Sequence, residues 1–107
     1  YLDTSALVKA YVEEEHSRKV LQGMKAATAS ASHKVAYVEA RTAFARLQRE
    51  DVLDESAWET LKHEFISDWE NYLQIGTTKP LLDHAGKLAE VFTLRAYDSM
   101  HLAAAHI

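Results

Sequence analysis

The fold class that the sequence predicts is α/β, with helices packed against a central parallel sheet. Segments of small or apolar residues, which suit buried strands, alternate with longer segments whose apolar residues recur every three or four positions. An acidic residue follows the first apolar pair, and open α/β sheets bind their ligands at the carboxyl ends of the strands. The 107 residues, 48% of them apolar, suffice for one domain with a single core.

The N-terminal third is predicted to contain the end of a strand, two helices and a second strand. Tyr1 and Leu2 are interpreted as the end of a buried strand. An amphipathic helix follows over residues 5–15, and a shorter helix covers residues 16–24. Residues 26–32 are small and uncharged, which favours a short buried strand.

Helices dominate the rest of the predicted order. Residues 34–49 carry one apolar arc, and Asp54 is placed to cap a long helix. Residues 74–78 are predicted to form a strand. Pro80 marks the start of the next helix, because proline suits a first helical turn, and the last helix begins near Tyr97.

Composition excludes several kinds of site. The chain has no cysteine, so disulfides and thiolate metal sites are impossible. No apolar run approaches the roughly 20 residues of a membrane-spanning helix. The net charge of −4 does not by itself favour nucleic-acid binding, although acids that hold a divalent cation make RNA binding possible. We therefore expect a cytoplasmic protein with no membrane segment.

Asp3 is the first of three carboxylates in unusual positions. It lies between the predicted strand end and the first helix, where a ligand-binding acid is expected. The alternative is that Asp3, Thr4 or Ser5 only caps the helix, since all three residue types suit an N-cap. This stretch alone favours the cap, so the functional interpretation depends on the other two acids.

Glu39 and Asp98 are those two acids. Glu39 lies beside the apolar arc of its helix and has no cation three or four residues away, so an exposed helical ion pair does not account for it. A carboxylate that reaches water or meets Arg46 is its alternative. Asp98 begins the last helix, where a first-turn acid is the alternative. His101, three residues later, is typical of a structural hydrogen-bonding residue.

The three carboxylates are most informative as a set. Acids brought together repel one another unless a cation neutralises them. Oxygen ligands without cysteine suit Mg²⁺ or Mn²⁺, and such an ion activates water and stabilises charge on phosphate oxygens. This chemistry fits phosphodiester hydrolysis, but the residues alone do not separate it from other metal-dependent phosphate chemistry.

Three segments of the chain carry a family resemblance. They are YLDTSALVK at residues 1–9, YVEAR at residues 37–41 and LRAYDSMHLA at residues 94–103. In this order they resemble the three acidic motifs of PIN domains, in particular those of VapC-type toxins. The resemblance covers the whole chain, and the ordered set is more specific than any one motif.

The resemblance implies a three-layer α/β/α domain over residues 1–107 and a magnesium-dependent endoribonuclease. Asp3, Glu39 and Asp98 would form its catalytic, metal-binding cluster, with Mg²⁺ or Mn²⁺ as the cofactor. Ser5, at the hydroxyl position of the first motif, would support the metal or the scissile phosphate. The resemblance also implies an RNA substrate, a cognate antitoxin protein and a homodimer.

The chain departs from the family pattern at its C-terminal end. Family members continue past the last helix into further strands, which bring a hydroxyl and commonly a fourth acid. The sequence begins inside a predicted strand and stops inside a predicted helix, so we expect the domain to be truncated at both ends. Ser99 stands where the family often has Ala.

The helix that carries Glu39 also has a cationic side, which is a candidate RNA contact. Arg41 is placed to bind substrate, and Lys34, Arg46 and Arg49 lie around the same helix. A solvated helix face is the alternative for each of these cations.

Two other functions remain open. Phosphatases of the haloacid dehalogenase type place Asp at the end of the first strand, but they need a second Asp two residues later, where this chain has Ser5. A non-catalytic PIN-like module that binds RNA or protein is the second alternative. For such a module Asp3→Asn leaves function intact, whereas a nuclease loses cleavage.

Overall fold

The computed structural model describes residues 1–14, 16–27 and 29–106, which contain six helices and two strands. In chain order the elements are α1 (Thr4–Lys9), α2 (Ser17–Ala26), β1 (Ala31–His33), α3 (Val35–Arg49), α4 (Glu55–Trp69), β2 (Leu73–Ile75), α5 (Lys79–Phe92) and α6 (Ala96–Ala105). This mixed architecture agrees with the predicted α/β class. Within the same ranges, no helix has the length and apolar character needed to cross a membrane.

The sheet is built around β1. β1 and β2 pair in parallel, with Ser32 opposite Gln74, and α3 and α4 connect them because parallel strands cannot be joined by a tight turn. Leu2 approaches β1 as well, since its N–H donates to the Ala31 carbonyl at 2.7 Å. The Ser32 hydroxyl donates to the Leu2 carbonyl at 2.6 Å. The predicted strand end at Tyr1 and Leu2 is therefore a short backbone contact with β1 rather than a full strand.

Two predicted boundaries near the N-terminus are wrong. The first helix ends at Lys9 rather than continuing through residues 5–15. Ser17 explains part of this difference, because its hydroxyl accepts the Glu14 N–H and donates to the Val12 carbonyl, and such bonds compete with helical ones. The strand predicted over residues 26–32 begins only at β1, since α2 extends through Ala26 and alanine favours helix. Glu15 and Thr28, inside these predicted elements, lie outside the described residues, as does Ile107.

Other predicted helix starts are confirmed. The Asp54 carboxylate accepts the Ala57 N–H at 2.7 Å and so caps α4. Pro80 occupies the first turn of α5, and the Thr78 hydroxyl caps that helix by accepting the Leu81 N–H.

The main core joins α1, α3 and α4. Phe65 of α4 is fully buried, and its ring contacts four aromatic rings, those of Tyr11, Tyr37, Phe44 and Trp69. Tyr11, which follows α1, also donates its hydroxyl to Asp68 at 2.8 Å. A second, smaller apolar cluster packs α5 against α6. The first cluster fixes α1 against α3, and α6 reaches the same region through its contacts with β1.

Candidate active site

Asp3 and Asp98 line one open cleft of about 520 Å³. Asp3 caps α1, because its Oδ1 accepts the Ala6 N–H at 2.9 Å. Asp98 stands in the first turn of α6 and pairs with Arg95, whose Nε lies 3.3 Å from Oδ2. Each carboxylate thus has the structural role considered for it. Because both are exposed, each is also open to a ligand.

Glu39 lies on the neighbouring wall and is fixed by two hydrogen-bonding groups. Its Oε1 accepts the Thr4 hydroxyl at 2.7 Å and lies 3.0 Å from Nε2 of His101. Glu39 and Thr4 line a depression of about 430 Å³ together with Arg46 and Tyr97. Since His101 lines the cleft of Asp3 and Asp98, Thr4 and His101 stand between the two surfaces.

The hydrogen bonds of His101 define which ring nitrogen carries the proton. Nδ1 lies 2.6 Å from the Tyr1 hydroxyl, whose oxygen accepts the His33 N–H at 3.2 Å. Burial raises the pKa of Tyr1 to about 12, so at neutral pH this hydroxyl stays protonated and donates a hydrogen bond to Nδ1. A neutral His101 ring then carries its proton on Nε2 and donates to Glu39. Glu39 therefore receives two hydrogen bonds at Oε1.

His33 is a second buried histidine behind this site. Its Nδ1 accepts the Val35 N–H at 3.0 Å, so the proton of a neutral ring is on Nε2, which lies 3.1 Å from the Thr77 hydroxyl. Burial lowers the pKa of His33, and the nearby His101 lowers it further. The folded protein therefore favours the neutral form of His33.

The lowered pKa of His33 predicts a loss of stability in mild acid. As the pH decreases through about 6.5, the unfolded chain binds this proton more fully than the native state does, so the free energy of unfolding falls. His33→Asn keeps an acceptor for the Val35 N–H and removes the titration. We expect urea unfolding to show a smaller decrease between pH 7.5 and pH 5.5 in the variant than in the wild type. Equal decreases would contradict this role of His33.

The structure brings the three predicted acids to adjacent surfaces but not into one ligand shell. Among the residues it describes, no three acids or histidines lie close enough together to hold one metal ion. Asp3 and Asp98 nevertheless line a common cleft, and Mg²⁺ is often bound by one or two carboxylates while it keeps several waters. The donor chemistry of the cleft therefore fits Mg²⁺ or Mn²⁺.

The two predicted substrate-binding residues lie elsewhere. Ser5 is exposed, and its hydroxyl accepts the Lys9 ammonium at 3.0 Å. Thr4, rather than Ser5, supplies the hydroxyl that contacts Glu39. Arg41 lies on the exposed side of α3, where its guanidinium donates to the Tyr37 hydroxyl at 3.1 Å.

Comparison with known proteins decides the family. The PIN domain family model matches residues 1–107. The chain belongs to the PIN domain family. PIN domains have a three-layer α/β/α fold, which confirms the predicted fold class. Ribonuclease VapC45 and Ribonuclease VapC49, from two strains of Mycobacterium tuberculosis, are each 32% identical to this chain over 105 residues, covering 98% of it and 73% of the relative.

Sequence reasoning missed several of the side chains that support the acids of this PIN domain. Thr4 was considered only as a helix cap, and Tyr1 only as part of a strand. His101 was predicted to be a structural hydrogen-bonding residue, which its contacts with Tyr1, Thr4 and Glu39 confirm. The available signal was the position of Thr4 beside Asp3 and of His101 close after Asp98.

Proposed function

We propose that this protein is a metal-dependent endoribonuclease and the toxin of a type II toxin–antitoxin pair. The observation that carries the proposal is the open cleft shared by Asp3 and Asp98, backed by the hydrogen-bonded Glu39. PIN-family membership and relatives named as ribonucleases support RNA as the substrate. The VapC names also support a cognate antitoxin partner. A homodimer acting in the cytoplasm completes the proposal.

Asp3 and Asp98 are the residues that would hold Mg²⁺ or Mn²⁺. A divalent cation at this position supplies an acidified water and neutralises charge that develops on the phosphate. Arg95 does not prevent binding, because an exposed ion pair such as Arg95–Asp98 contributes only about 1 kcal/mol or less. Both carboxylates are thus available without unfolding any element.

Glu39 is the third acid of the proposed site, and we place it as the proton acceptor. Its Oε1 is occupied by Thr4 and His101, while Oε2 makes no hydrogen bond within the described part of the chain. Because the bonded oxygen fixes the orientation of the carboxylate, we propose that Oε2 accepts a proton during the reaction. Glu39 thereby joins Asp3 and Asp98 in the proposed acidic set.

The proposal is tested by cleavage of a mixed RNA pool with the full-length protein. We expect cleavage with Mg²⁺ or Mn²⁺, its loss in excess chelator, and a loss of about 100-fold or more in Asp98→Asn, since the developing phosphate charge is no longer neutralised. Asp83→Asn is the matched control, because Asp83 is equally exposed and pairs with Lys79 at 3.2 Å outside the cleft.

The same cleavage test also separates the nuclease from the second candidate function. The absence of three acids in one shell, within the described ranges, favours a non-catalytic RNA- or protein-binding module as the second candidate. Folded, partner-free protein that does not cleave RNA under any metal condition would support that candidate and reject the nuclease.

Thr4 is expected to act as a positioning residue for Glu39. Thr4→Val removes the hydroxyl that donates to Oε1, and loss of a hydrogen bond that orients a functional carboxylate costs about 10- to 100-fold in metal affinity or activity. Thr4→Ser keeps the hydroxyl and should restore most of the cleavage rate. If Thr4→Ser is as impaired as Thr4→Val, the methyl group rather than the hydroxyl is important.

A further inference from the structure

A groove of about 380 Å³ between α3 and α4 combines cations with aromatic rings. The cations are Arg41, Arg49 and Lys62, and the rings are those of Tyr37 and Trp58. Small side chains of α3 line the groove between the arginines. This combination is absent from the acidic cleft itself, whose carboxylates repel phosphate in the absence of a cation.

Two of the three cations of the groove are not neutralised by a carboxylate of the protein. Arg41 and Arg49 have no carboxylate partner in the described ranges, whereas Lys79 and Arg95 each pair with an aspartate. Lys62 pairs with Glu59 and also lies 4.4 Å from the centroid of the Trp58 ring. The groove is therefore a positively charged strip on a chain whose net charge is −4.

The groove leads towards the proposed site. Val38 and Thr42 line both the groove and the depression that holds Glu39, so the two surfaces are continuous. Arg46 lines that depression and continues the row of cations. From Glu39 to Arg49 the helix rises about 15 Å, a length that accommodates several phosphates of one strand.

We propose that the α3–α4 groove binds single-stranded RNA and guides its phosphodiester backbone to Glu39. The inference rests on the proposed function, which it extends from the cleavage centre to the path of the substrate. Single-strand binding sites combine cations along the backbone with flat groups on which bases stack. Arg41, Arg49 and Lys62 provide the former, and the guanidinium planes together with the exposed part of the half-buried Trp58 ring, beside Lys62, provide the latter. An acidic peptide would use the charges but not the stacking surfaces, so these contacts favour RNA.

The first experiment measures RNA affinity without cleavage. Asp3→Asn protein is titrated with a labelled pool of short single-stranded RNA, with Arg49→Gln or Lys62→Gln added to it. Each added change should weaken binding about threefold to tenfold and reduce the slope of log affinity against log salt by about 0.7 for the lost phosphate contact. Lys87→Gln is the matched control, because Lys87 is exposed on α5 and has no carboxylate partner among the described residues.

The second experiment reports stacking directly. RNA should quench tryptophan fluorescence, and Trp58→Phe should remove most of the quenching, because Trp69 is buried in the core. Phenylalanine keeps an apolar ring at this position, so the variant remains comparable in fold.

In otherwise wild-type protein, Arg49→Gln should raise KM for cleavage more than it lowers kcat, and Arg49→Lys should restore part of the loss.

The outcomes distinguish this inference from the proposed function. If wild-type protein cleaves RNA but the groove variants match Lys87→Gln in affinity and salt dependence, the groove is overturned and the nuclease stands. If the same variants lose binding to an acidic protein partner and not to RNA, the groove is a binding site for that partner and the inference is overturned. Groove-dependent RNA binding without any cleavage would support the groove and reject the nuclease. If neither the wild-type protein nor the Asp3→Asn protein binds RNA, both the groove inference and the nuclease proposal are rejected.

Discussion

Asp3→Asn is expected to lower RNA cleavage by about 100-fold or more, while the free energy of unfolding stays within about 0.5 kcal/mol of the wild type. Asparagine keeps the side-chain oxygen that accepts the Ala6 N–H, and it is as good an N-cap as aspartate. The charge that would hold a divalent cation is lost. The variant thus separates the two roles of Asp3, and it is measured by RNA cleavage alongside urea unfolding.

Asp54→Asn is the matched control for this substitution. Asp54 caps α4 with the same geometry, accepting the Ala57 N–H, but it lies outside the clefts that hold the three acids. Its replacement should leave cleavage unchanged. Normal cleavage by Asp3→Asn would show that Asp3 is only a cap, and a loss of cleavage shared by both variants would indicate a general defect.

Phe65→Ala is expected to lower the free energy of unfolding by about 3 to 5 kcal/mol. The ring has no exposed surface, and it packs against aromatic residues from α3, from α4 and from the segment after α1, so its removal leaves a cavity lined by several elements. Urea unfolding followed by circular dichroism measures the change.

Phe92→Ala is the same substitution at an exposed position. Phe92 ends α5 with 60% of its surface exposed, so its removal should cost no more than about 1 kcal/mol. Equal losses in the two variants would show that Phe65 does not hold the main core together.

The sequence predicted those elements whose signals are local. The apolar arc over residues 34–49 matches α3, since a three- or four-residue period specifies a helix with a buried side. Asp54 was recognised as a cap because its residue type and position suffice. The strand β1 was placed too early, since alanine and serine between two helices give no period that separates strand from helix.

The candidate site was predictable only in part. Asp3, Glu39 and Asp98 stood out only as a set, because Asp3 and Asp98 each also had a local explanation at a helix start, and they were found on adjacent surfaces. The choice between Thr4 and Ser5 depends on which hydroxyl faces α3, and neighbouring residues at the start of a helix point in different directions. The contact between Tyr1 and His101 joins residues 100 positions apart, a separation at which sequence spacing carries no information.

That long-range contact has a consequence for protein synthesis. A nascent chain that has left the ribosome without α6 already contains Asp3, Thr4 and Glu39, but it lacks the imidazole that bridges Tyr1 to Glu39 and the second carboxylate of the cleft. A contact between two segments requires both of them to have been synthesised, and domains generally fold as units during synthesis. The hydrogen-bonded group of Tyr1, His101 and Glu39 therefore forms only when translation has passed His101, and chains that end before Asp98 lack one of the three proposed acids.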